Sequence, residues 1–308
     1  MSAITFQPLY IERIWGERKL ETIYNRNLPD PTIAYGEAWE IVDRENAQSI
    51  VTDGTYAGKS LNDLWKNHRS EIFGDALPDS EHFPILIKIL DCSAALSIQV
   101  HPPAHLIKEL NGEPKTEMWY IADALPGAKL HIGLKQGATR EKFEKAIADG
   151  SVADLVHSIT PKKGDSLFIE SGRLHAIGAG FLIHEIQQNS DTTYRVFDWN
   201  RTDSNGNARE LHIEQSLACI DFNDIEPELQ STDRNTLVAC PHFITTLHHL
   251  ATGETIANPD PDHFSLITVI SGSLNQIHPK GQTILLPKSS APLCASEQTS
   301  VLQITIPI

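Results

Sequence analysis

Short apolar runs rich in Ile, Val, Leu and Phe recur along this chain, and Gly, Pro, Asp and Asn separate them. Many short strands with turn residues between them are typical of β-sandwiches and barrels. The predicted strands are residues 4–9, 37–43, 84–91, 95–100, 118–123, 129–133, 166–170, 181–187 and 194–199. The sequence therefore predicts a mainly β fold.

Helical patterns are fewer than strand patterns and lie between the predicted strands. They cover residues 61–68, 104–110 and 139–149. Thr139 is suited to cap the N-terminus of the last of these helices, and Gly150 is suited to end it. A polar segment, residues 223–237, has the composition of a linker, and strand-rich sequence resumes after it. We therefore expect two domains, residues 1–230 with small helical insertions and residues 231–308.

The net charge is −15, from 25 basic and 40 acidic residues among 308. This balance argues against nucleic acid or an anionic membrane as the main partner. The N-terminus has no secretory signal pattern and no apolar stretch is long enough to span a bilayer, so we expect a cytoplasmic protein. The four cysteines, Cys92, Cys219, Cys240 and Cys294, are scattered, which predicts neither disulfides nor a cysteine zinc site. No protein partner is implied.

The stretch SIQVHPPAH begins with a polar triplet on one face of a predicted strand. Side chains alternate between the two faces of a strand, so Ser97, Gln99 and His101 point one way, and Ile98 and Val100 point the other way. Such a triplet either faces water or faces a ligand that needs nitrogen and oxygen donors.

A second stretch, GDSLFIESGRLHAIGAG, has Gly164, Gly172 and His175 at the spacing G-x5-P-x-G-x2-H, with Glu170 in place of the proline. It resembles the second motif of the cupin superfamily, in which the histidine binds a metal.

In the first cupin motif, Gln99 and His101 stand where H-x-H is usual, and Glu117 is the next well-placed glutamate. A set of amide, imidazole and carboxylate ligands without sulfur suits Zn²⁺, and also Mn²⁺, Fe²⁺ or Co²⁺.

The blocks LSIQVHP, KTEMWYI, GRLHAIGAG and EIQQNSDTTYRVFDWNR, in this order, resemble the signature blocks of type I mannose-6-phosphate isomerases of the short bacterial form. IERIWG and YGEAWEI near the N-terminus fit as well. The resemblance implies two cupin-type jelly-roll β-sandwich domains with a few short helices inserted in the first. It also implies one zinc ion per chain, a sugar-phosphate substrate, and isomerisation of mannose 6-phosphate and fructose 6-phosphate through a cis-enediol.

Carried over block by block, the resemblance implies specific residue roles. The implied zinc ligands are Gln99, His101, Glu117 and His175. The implied catalytic residues are Arg195, Asp191 and Lys115. The implied substrate-binding residues are Trp15 on the pocket wall and, for the phosphate, Ser97, Lys88 and Arg201. The base that moves the proton is Asp191, Lys115 or a metal-bound hydroxide, and the sequence does not choose among them.

The C-terminal domain carries GQTILLP, which fits the first half of the cupin histidine motif, but no glycine and histidine follow at the ligand spacing. We expect this domain to be metal-free. Two functional alternatives stay open at the level of sequence. One is a metal-containing sugar-phosphate binding or regulatory protein without turnover, and the other is an iron-dependent dioxygenase that uses two histidines and one carboxylate.

Overall fold

The structure, a computed structural model, describes residues 1–202, 206–229 and 235–308. Within these residues, strands β1 to β24 span, in chain order, Ile4–Gln7, Leu9–Glu17, Tyr35–Ile41, Asp43–Arg44, Ala47–Gln48, Ile50–Val51, Ile85–Cys92, Ile98–Val100, Glu117–Ala124, Leu130–Leu134, Val156–Ile159, Ser166–Ile169, His175–Ile177, Phe181–Gln188, Tyr194–Phe197, Thr236–Ala239, Ile244–Leu250, Thr255–Ile256, Ser265–Ser271, Ser273–Leu274, His278–Pro279, Thr283–Leu286, Leu293–Cys294 and Thr299–Thr305. Helices α1 to α6 span Lys19–Thr22, Leu61–Asn67, Arg69–Ile72, Ile107–Leu110, Arg140–Asp149 and Ile213–Cys219.

Three antiparallel sheets form the framework. A six-stranded sheet has the order β12-β9-β14-β7-β3-β2, and a five-stranded sheet has the order β11-β10-β13-β8-β15. A seven-stranded sheet, β16-β17-β24-β19-β22-β1-β6, is built mostly from the C-terminal part of the chain. Many neighbours in these sheets, such as β14 and β7 or β1 and β22, are far apart in sequence, so the fold closes through long-range pairing.

The six-stranded sheet is the middle layer. One of its faces packs on the five-stranded sheet through a buried core that includes Trp119, Ile183 and Ile132. Its other face packs, with α2 and α3, on the seven-stranded sheet through a second core that includes Ile87 and Leu302. Burial on both faces explains why every residue of β3 and β7 is buried.

The prediction of a mainly β fold with cupin-type sandwiches and a few short helices is confirmed. Each predicted strand has a counterpart, and α5 has Thr139 as its N-cap and Gly150 in the left-handed conformation at its C-terminal end. Strand β2, Leu9–Glu17, was not predicted, because its charged, half-exposed residues hide the apolar alternation. The three-residue strand β13, His175–Ile177, was not predicted either and lies inside the glycine-histidine loop.

The predicted domain boundary near residue 230 lies outside the described residues and stays a prediction. Strand pairing nonetheless joins the two ends of the chain. β1 pairs with β22, with Ile4 opposite Leu285, and so belongs to the sheet of the C-terminal part. Arg26 Nη2 also donates to the Gly281 carbonyl at 2.6 Å. The N-terminal residues therefore contribute to both parts of the fold.

No helix of the described ranges is long and apolar enough to cross a membrane.

Asp43 holds together the segments that precede α2 and β7. Its side chain is 0% exposed. The carboxylate accepts hydrogen bonds from Gln48 Nε2 at 2.7 Å, Asn62 Nδ2 at 2.9 Å and the Phe83 backbone N–H at 2.7 Å, with His82 Nδ1 at 3.1 Å. Burial alone would raise the pKa of Asp43, but these hydrogen bonds hold it below its usual value.

We expect Asp43→Ala to lower the free energy of unfolding by about 3 kcal/mol, because several buried donors lose a charged acceptor. Since the folded-state pKa of Asp43 is depressed, its contribution is present above the unfolded pKa of about 3.9 and is lost as the pH falls through the folded value. Urea unfolding at pH 7 and at acidic pH measures both effects. The exposed Asp79→Ala variant is the matched control, and equal stability of the two variants at pH 7 would contradict this role.

Candidate active site and metal centre

A cavity of about 500 Å³ lies where the six-stranded and five-stranded sheets face each other. Glu37, Lys88 and Glu185 line it from the first sheet, and Gln99 and Arg195 line it from the second. The strand period explains this polar lining. On β14, Phe181 and Ile183 face the core between the sheets, and Glu185 is the next residue on the same face. The interior of the sandwich is therefore apolar at one end and charged at the other.

Three side chains of types that can bind a metal ion meet beside this cavity. His175 on β13 is directly opposite Gln99 on β8, His101 follows β8, and Glu117 begins β9 in the facing sheet. His101 Nε2 lies 3.5 Å from Glu117 Oε2, and His175 Nε2 lies 3.7 Å from Glu117 Oε1. The ligand atoms of His101, Glu117 and His175 all lie within 4.8 Å of one another, and the three residues are buried. The two sheets thus bring together ligands that are far apart in sequence.

The hydrogen bonds made by Nδ1 of both histidines leave the lone pair of Nε2 on the side that faces Glu117. His101 Nδ1 is 3.0 Å from the Thr192 carbonyl, and His175 Nδ1 is 2.9 Å from the Arg173 carbonyl. A carbonyl only accepts, so each Nδ1 carries the proton and donates it. In the neutral imidazole, Nε2 then presents its lone pair. An imidazole that donates its other N–H to a carbonyl is the usual arrangement at metal sites.

Unpartnered buried atoms at this centre fit a metal ion. Among the described residues, His101 Nε2 and both carboxylate oxygens of Glu117 have no hydrogen bond of good geometry, although Lys115 Nζ lies 3.0 Å from Glu117 Oε2. Buried polar atoms are almost always satisfied. A cation bound by these atoms would satisfy all three.

The protonation states also suit a cation. Burial, followed by the charge of Lys115, lowers the pKa of His101 to about 3, and burial lowers that of His175. Burial alone would raise the pKa of Glu117, but Lys115 and the two imidazoles hold it well below its usual range. At neutral pH the centre therefore offers two neutral imidazoles and one carboxylate, which are the forms that bind metals.

Gln99 stands at the edge of this centre. Its Nε2 lies 3.3 Å from His175 Nε2, and Ser97 Oγ donates to its Oε1 at 3.3 Å. The oxygen and nitrogen of a side-chain amide exchange places when the amide rotates by half a turn. That rotation would place Oε1, the ligating atom, beside His175.

Acidic and basic side chains alternate across the cavity floor. Glu37 accepts from Arg13 Nε at 2.8 Å and lies 3.9 Å from Lys88 Nζ. Glu185 lies 3.6 Å from Lys88 Nζ and 4.0 Å from Lys115 Nζ. Burial, followed by the Glu117 charge, raises the pKa of Glu185. The charge of Lys88 is thus already matched by two carboxylates.

Arginines cluster on the opposite wall around one carboxylate. Asp198 accepts hydrogen bonds from Arg209 Nε at 2.7 Å and from Arg201 Nη2 at 2.7 Å. Burial, followed by the Arg209 charge, lowers the pKa of Arg195. In the described part of the chain, the buried Arg195 Nε has no hydrogen-bond partner. This wall therefore has excess positive charge and one free donor.

The cavity wall holds most of the residues singled out from the sequence. Besides Gln99 and Arg195, it includes Trp15, Lys88, Ser97, Lys115 and Asp191. Arg201 does not line the cavity, because its guanidinium turns to Asp198 and to the Ala95 carbonyl at 2.5 Å. Geometry thus gives no support to the prediction that Arg201 contacts the substrate phosphate.

Sequence reasoning missed Glu37, Glu185, Arg13 and Arg209. A signal was available for Glu185, which is a charged residue on the same face of β14 as the apolar Phe181 and Ile183. Arg209 lies outside the recognisable motifs and reaches the cavity only because it pairs with Asp198.

Known proteins match most of this chain in sequence. Residues 4–124 match the family described as phosphomannose isomerase type I, catalytic domain. The mannose-6-phosphate isomerase ManA of Bacillus subtilis is 36% identical over 298 residues, which cover 92% of each chain. A mannose-6-phosphate isomerase of Streptococcus mutans is 36% identical over 278 residues, or 86% of this chain and 85% of the relative.

Solved structures have the same fold as this chain. The crystal structure of the mannose 6-phosphate isomerase from Bacillus subtilis superposes with a TM-score of 0.88 at 29% identity, over 99% of this chain and 100% of that one. The putative mannosephosphate isomerase from Archaeoglobus fulgidus shares the fold, with a TM-score of 0.80 at 19% identity over 100% of this chain and 99% of that one. The relatives carry the names of enzymes, which does not favour the regulatory alternative. By its sequence over nearly its full length and by its fold, this chain belongs to the type I phosphomannose isomerase family.

Proposed function

We propose that this protein is a metal-dependent aldose–ketose isomerase that interconverts mannose 6-phosphate and fructose 6-phosphate through a cis-enediol. The observation that carries the proposal is the group His101, Glu117 and His175 beside a polar cavity that Arg195 also lines. The names of the relatives support the substrate.

We propose Zn²⁺ as the metal, held by His101, Glu117 and His175, with the Gln99 amide oxygen as a fourth ligand. Two neutral imidazoles and one glutamate carboxylate, the ligand set of many catalytic zinc sites, support this choice. When bound, the ion supplies a Lewis acid that stabilises negative charge on the carbonyl and hydroxyl oxygens of the sugar.

Arg195 and Lys115 are the cations we assign to the reaction. Negative charge develops on O1 and O2 of the sugar in the enediolate, and fixed donors stabilise it where it appears. The free Nε of Arg195 is available for such an oxygen. Lys115 Nζ lies 3.0 Å from Glu117 and is held as an ion pair, so its role is to donate a hydrogen bond.

Asp191 is the base in this proposal. Its side chain is exposed and lines the cavity, and we assign its carboxylate to moving the proton between C1 and C2 of a bound sugar. Trp15, which is 3% exposed, forms an apolar part of the cavity wall. Ser97 Oγ lies 3.3 Å from the Gln99 amide, and we assign Ser97 to holding that amide in place by accepting from Nε2 once the amide has rotated.

Proton exchange with solvent tests the reaction itself. Fructose 6-phosphate incubated in D₂O with the zinc-loaded protein is expected to give mannose 6-phosphate with deuterium at C2, because the base exchanges its proton with solvent. Proton NMR follows both sugars. Absence of mannose 6-phosphate from folded, metal-loaded protein would contradict the proposal.

The substrate phosphate requires a cation that lines the cavity and has no carboxylate of its own to neutralise it. Lys88 lies between two carboxylates, and Arg201 turns away from the cavity. Arg209 lines the cavity on the wall with excess positive charge. Arg209 shares the single carboxylate of Asp198 with Arg201. We therefore assign the phosphate to Arg209, beside Arg195.

Arg209→Ala is expected to raise KM for mannose 6-phosphate by about 10-fold or more with a small change in kcat, because a charge-assisted hydrogen bond to phosphate is lost in ground state and transition state alike. Arg201 remains to satisfy Asp198 in this variant. Steady-state kinetics measure the effect, with the exposed Arg140→Ala as control. An unchanged KM would exclude Arg209 as the phosphate ligand.

A further inference from the structure

A network of hydrogen bonds outside the ligand set connects Glu113 to the metal centre. It joins two segments, residues 113–116, which lead into Glu117, and residues 188–192, which follow β14. These segments carry Lys115 and Asp191. The inference drawn from this network rests on the proposed metal site, and its test measures metal binding separately from turnover.

The segments are held together at several points. The backbone N–H of Glu113 donates to Thr192 Oγ1 at 3.0 Å, and the backbone N–H of Asp191 donates to Glu113 Oε2 at 3.1 Å. Ser190, which is 1% exposed, donates through Oγ to the Glu113 carbonyl at 3.3 Å. Glu113 thus contacts three successive residues of the second segment.

Arg44 holds the same glutamate from the other side. Its Nη2 lies 3.1 Å from Glu113 Oε1 and 3.0 Å from Oε2, and its Nη1 donates to the Asn189 carbonyl at 3.1 Å. The Glu113 side chain is 45% exposed, so the ion pair itself adds little stability. Its effect is to fix the direction of the carboxylate.

The network ends on a metal ligand. The Thr192 carbonyl accepts the hydrogen bond of His101 Nδ1 at 3.0 Å. The Thr192 side chain accepts, through Oγ1, from the backbone N–H of Glu113. The position of this carbonyl sets both the ring orientation and the tautomer of His101. A shift of the segment would turn His101 Nε2 away from Glu117.

We propose that Glu113, held by Arg44, is a positioning residue that fixes the Thr192 carbonyl and through it aligns His101 for the metal. Loss of an outer hydrogen-bond partner of a metal-binding histidine typically weakens metal affinity 10- to 100-fold. Glu113 acts through the backbone of its neighbours and has no direct contact with the reacting atoms in this assignment.

The test is Zn²⁺ affinity measured by competition with a chromogenic chelator. Glu113→Ala and Thr192→Val are each expected to weaken binding about 10-fold. Thr192→Ser keeps the hydroxyl acceptor, and Glu113→Gln keeps an acceptor for the Asp191 N–H, so both are expected to stay within about 3-fold of the parent protein. Glu45→Ala, an exposed carboxylate next to Arg44 in sequence, is the matched control and is expected to bind normally.

Two further readouts separate positioning from a general loss of structure. The urea midpoint of the metal-free variants is expected to stay close to that of the parent, while zinc release to excess chelator becomes faster. If Glu113→Ala does not fold, the pair Thr192→Val and Thr192→Ser decides alone. Parent-like zinc affinity in folded Glu113→Ala or in Thr192→Val, or equal weakening in Thr192→Val and Thr192→Ser, would overturn the proposal. Because chelator competition needs no substrate, this outcome is distinct from a failure of the isomerase assignment.

Discussion

A Glu117→Gln variant is expected to lose metal binding and isomerase activity together. Glu117 is the carboxylate between the two imidazoles, and its oxygens lie 3.5 and 3.7 Å from His101 Nε2 and His175 Nε2. Its pKa is held well below the usual range despite burial, so it is charged at neutral pH and balances a cation. The amide has nearly the same shape but no charge.

We expect zinc affinity to fall by more than about 100-fold in Glu117→Gln, beyond the effect of losing an outer partner of a ligand. Activity at equimolar metal should fall to background. Glu170→Gln makes the same change at an exposed position in the loop before His175 and is the control. Tight zinc binding with full turnover in Glu117→Gln would remove this residue from the metal centre.

Replacing Arg195 with Ala is expected to lower kcat by about 100- to 1,000-fold, the range observed when a single donor to a developing oxyanion is removed. The Arg195 guanidinium lines the cavity, its Nη1 donates to the Glu210 carbonyl at 2.7 Å, and its buried Nε has no partner among the described residues. The side chain is therefore held in place with one donor free for substrate.

The matched control for Arg195→Ala is Arg140→Ala, which removes an exposed arginine of α5. Zinc affinity should be unchanged in Arg195→Ala, because no metal ligand is altered. Addition of guanidinium ion should restore part of the activity if a free donor is what the variant lacks. A kcat close to that of the parent would contradict the assignment of Arg195 to the reaction.

The group His101, Glu117 and His175 could be found in the sequence because its residues occur in local patterns. Ser97, Gln99 and His101 alternate along one strand, and His175 stands in a glycine loop whose spacing is recognisable. The structure places Gln99 and His175 opposite each other, which neither pattern states by itself. Fifteen residues separate His101 from Glu117 in sequence. The two side chains still meet, because Glu117 begins β9 in the facing sheet.

The charged cavity floor was not predictable in the same way. Glu37, Lys88 and Glu185 come from three strands whose neighbours are decided by long-range pairing. Arg201 and Arg209 are both basic residues near Arg195. The sequence prediction chose Arg201, the nearer one, whereas Arg209 lines the cavity. Arg201 turns away from the cavity because it donates to Asp198 and to the Ala95 carbonyl. These contacts depend on the folded backbone, which the sequence does not show.

The pairing of the first strand with the C-terminal sheet was equally hidden. β1 has an ordinary apolar pattern, and nothing in its composition indicates a partner near residue 285. Register between distant strands is set by which faces become buried together, and this information is spread over the whole chain.

The most direct test of the central claim is a coupled assay of fructose 6-phosphate formation from mannose 6-phosphate, on protein stripped of metal by a chelator and then titrated with Zn²⁺. We predict background activity in the stripped protein and full recovery at a single zinc ion per chain, with Glu117→Gln failing to recover. Full turnover by protein whose metal content has been shown to be negligible would contradict a metal-dependent isomerase at this site.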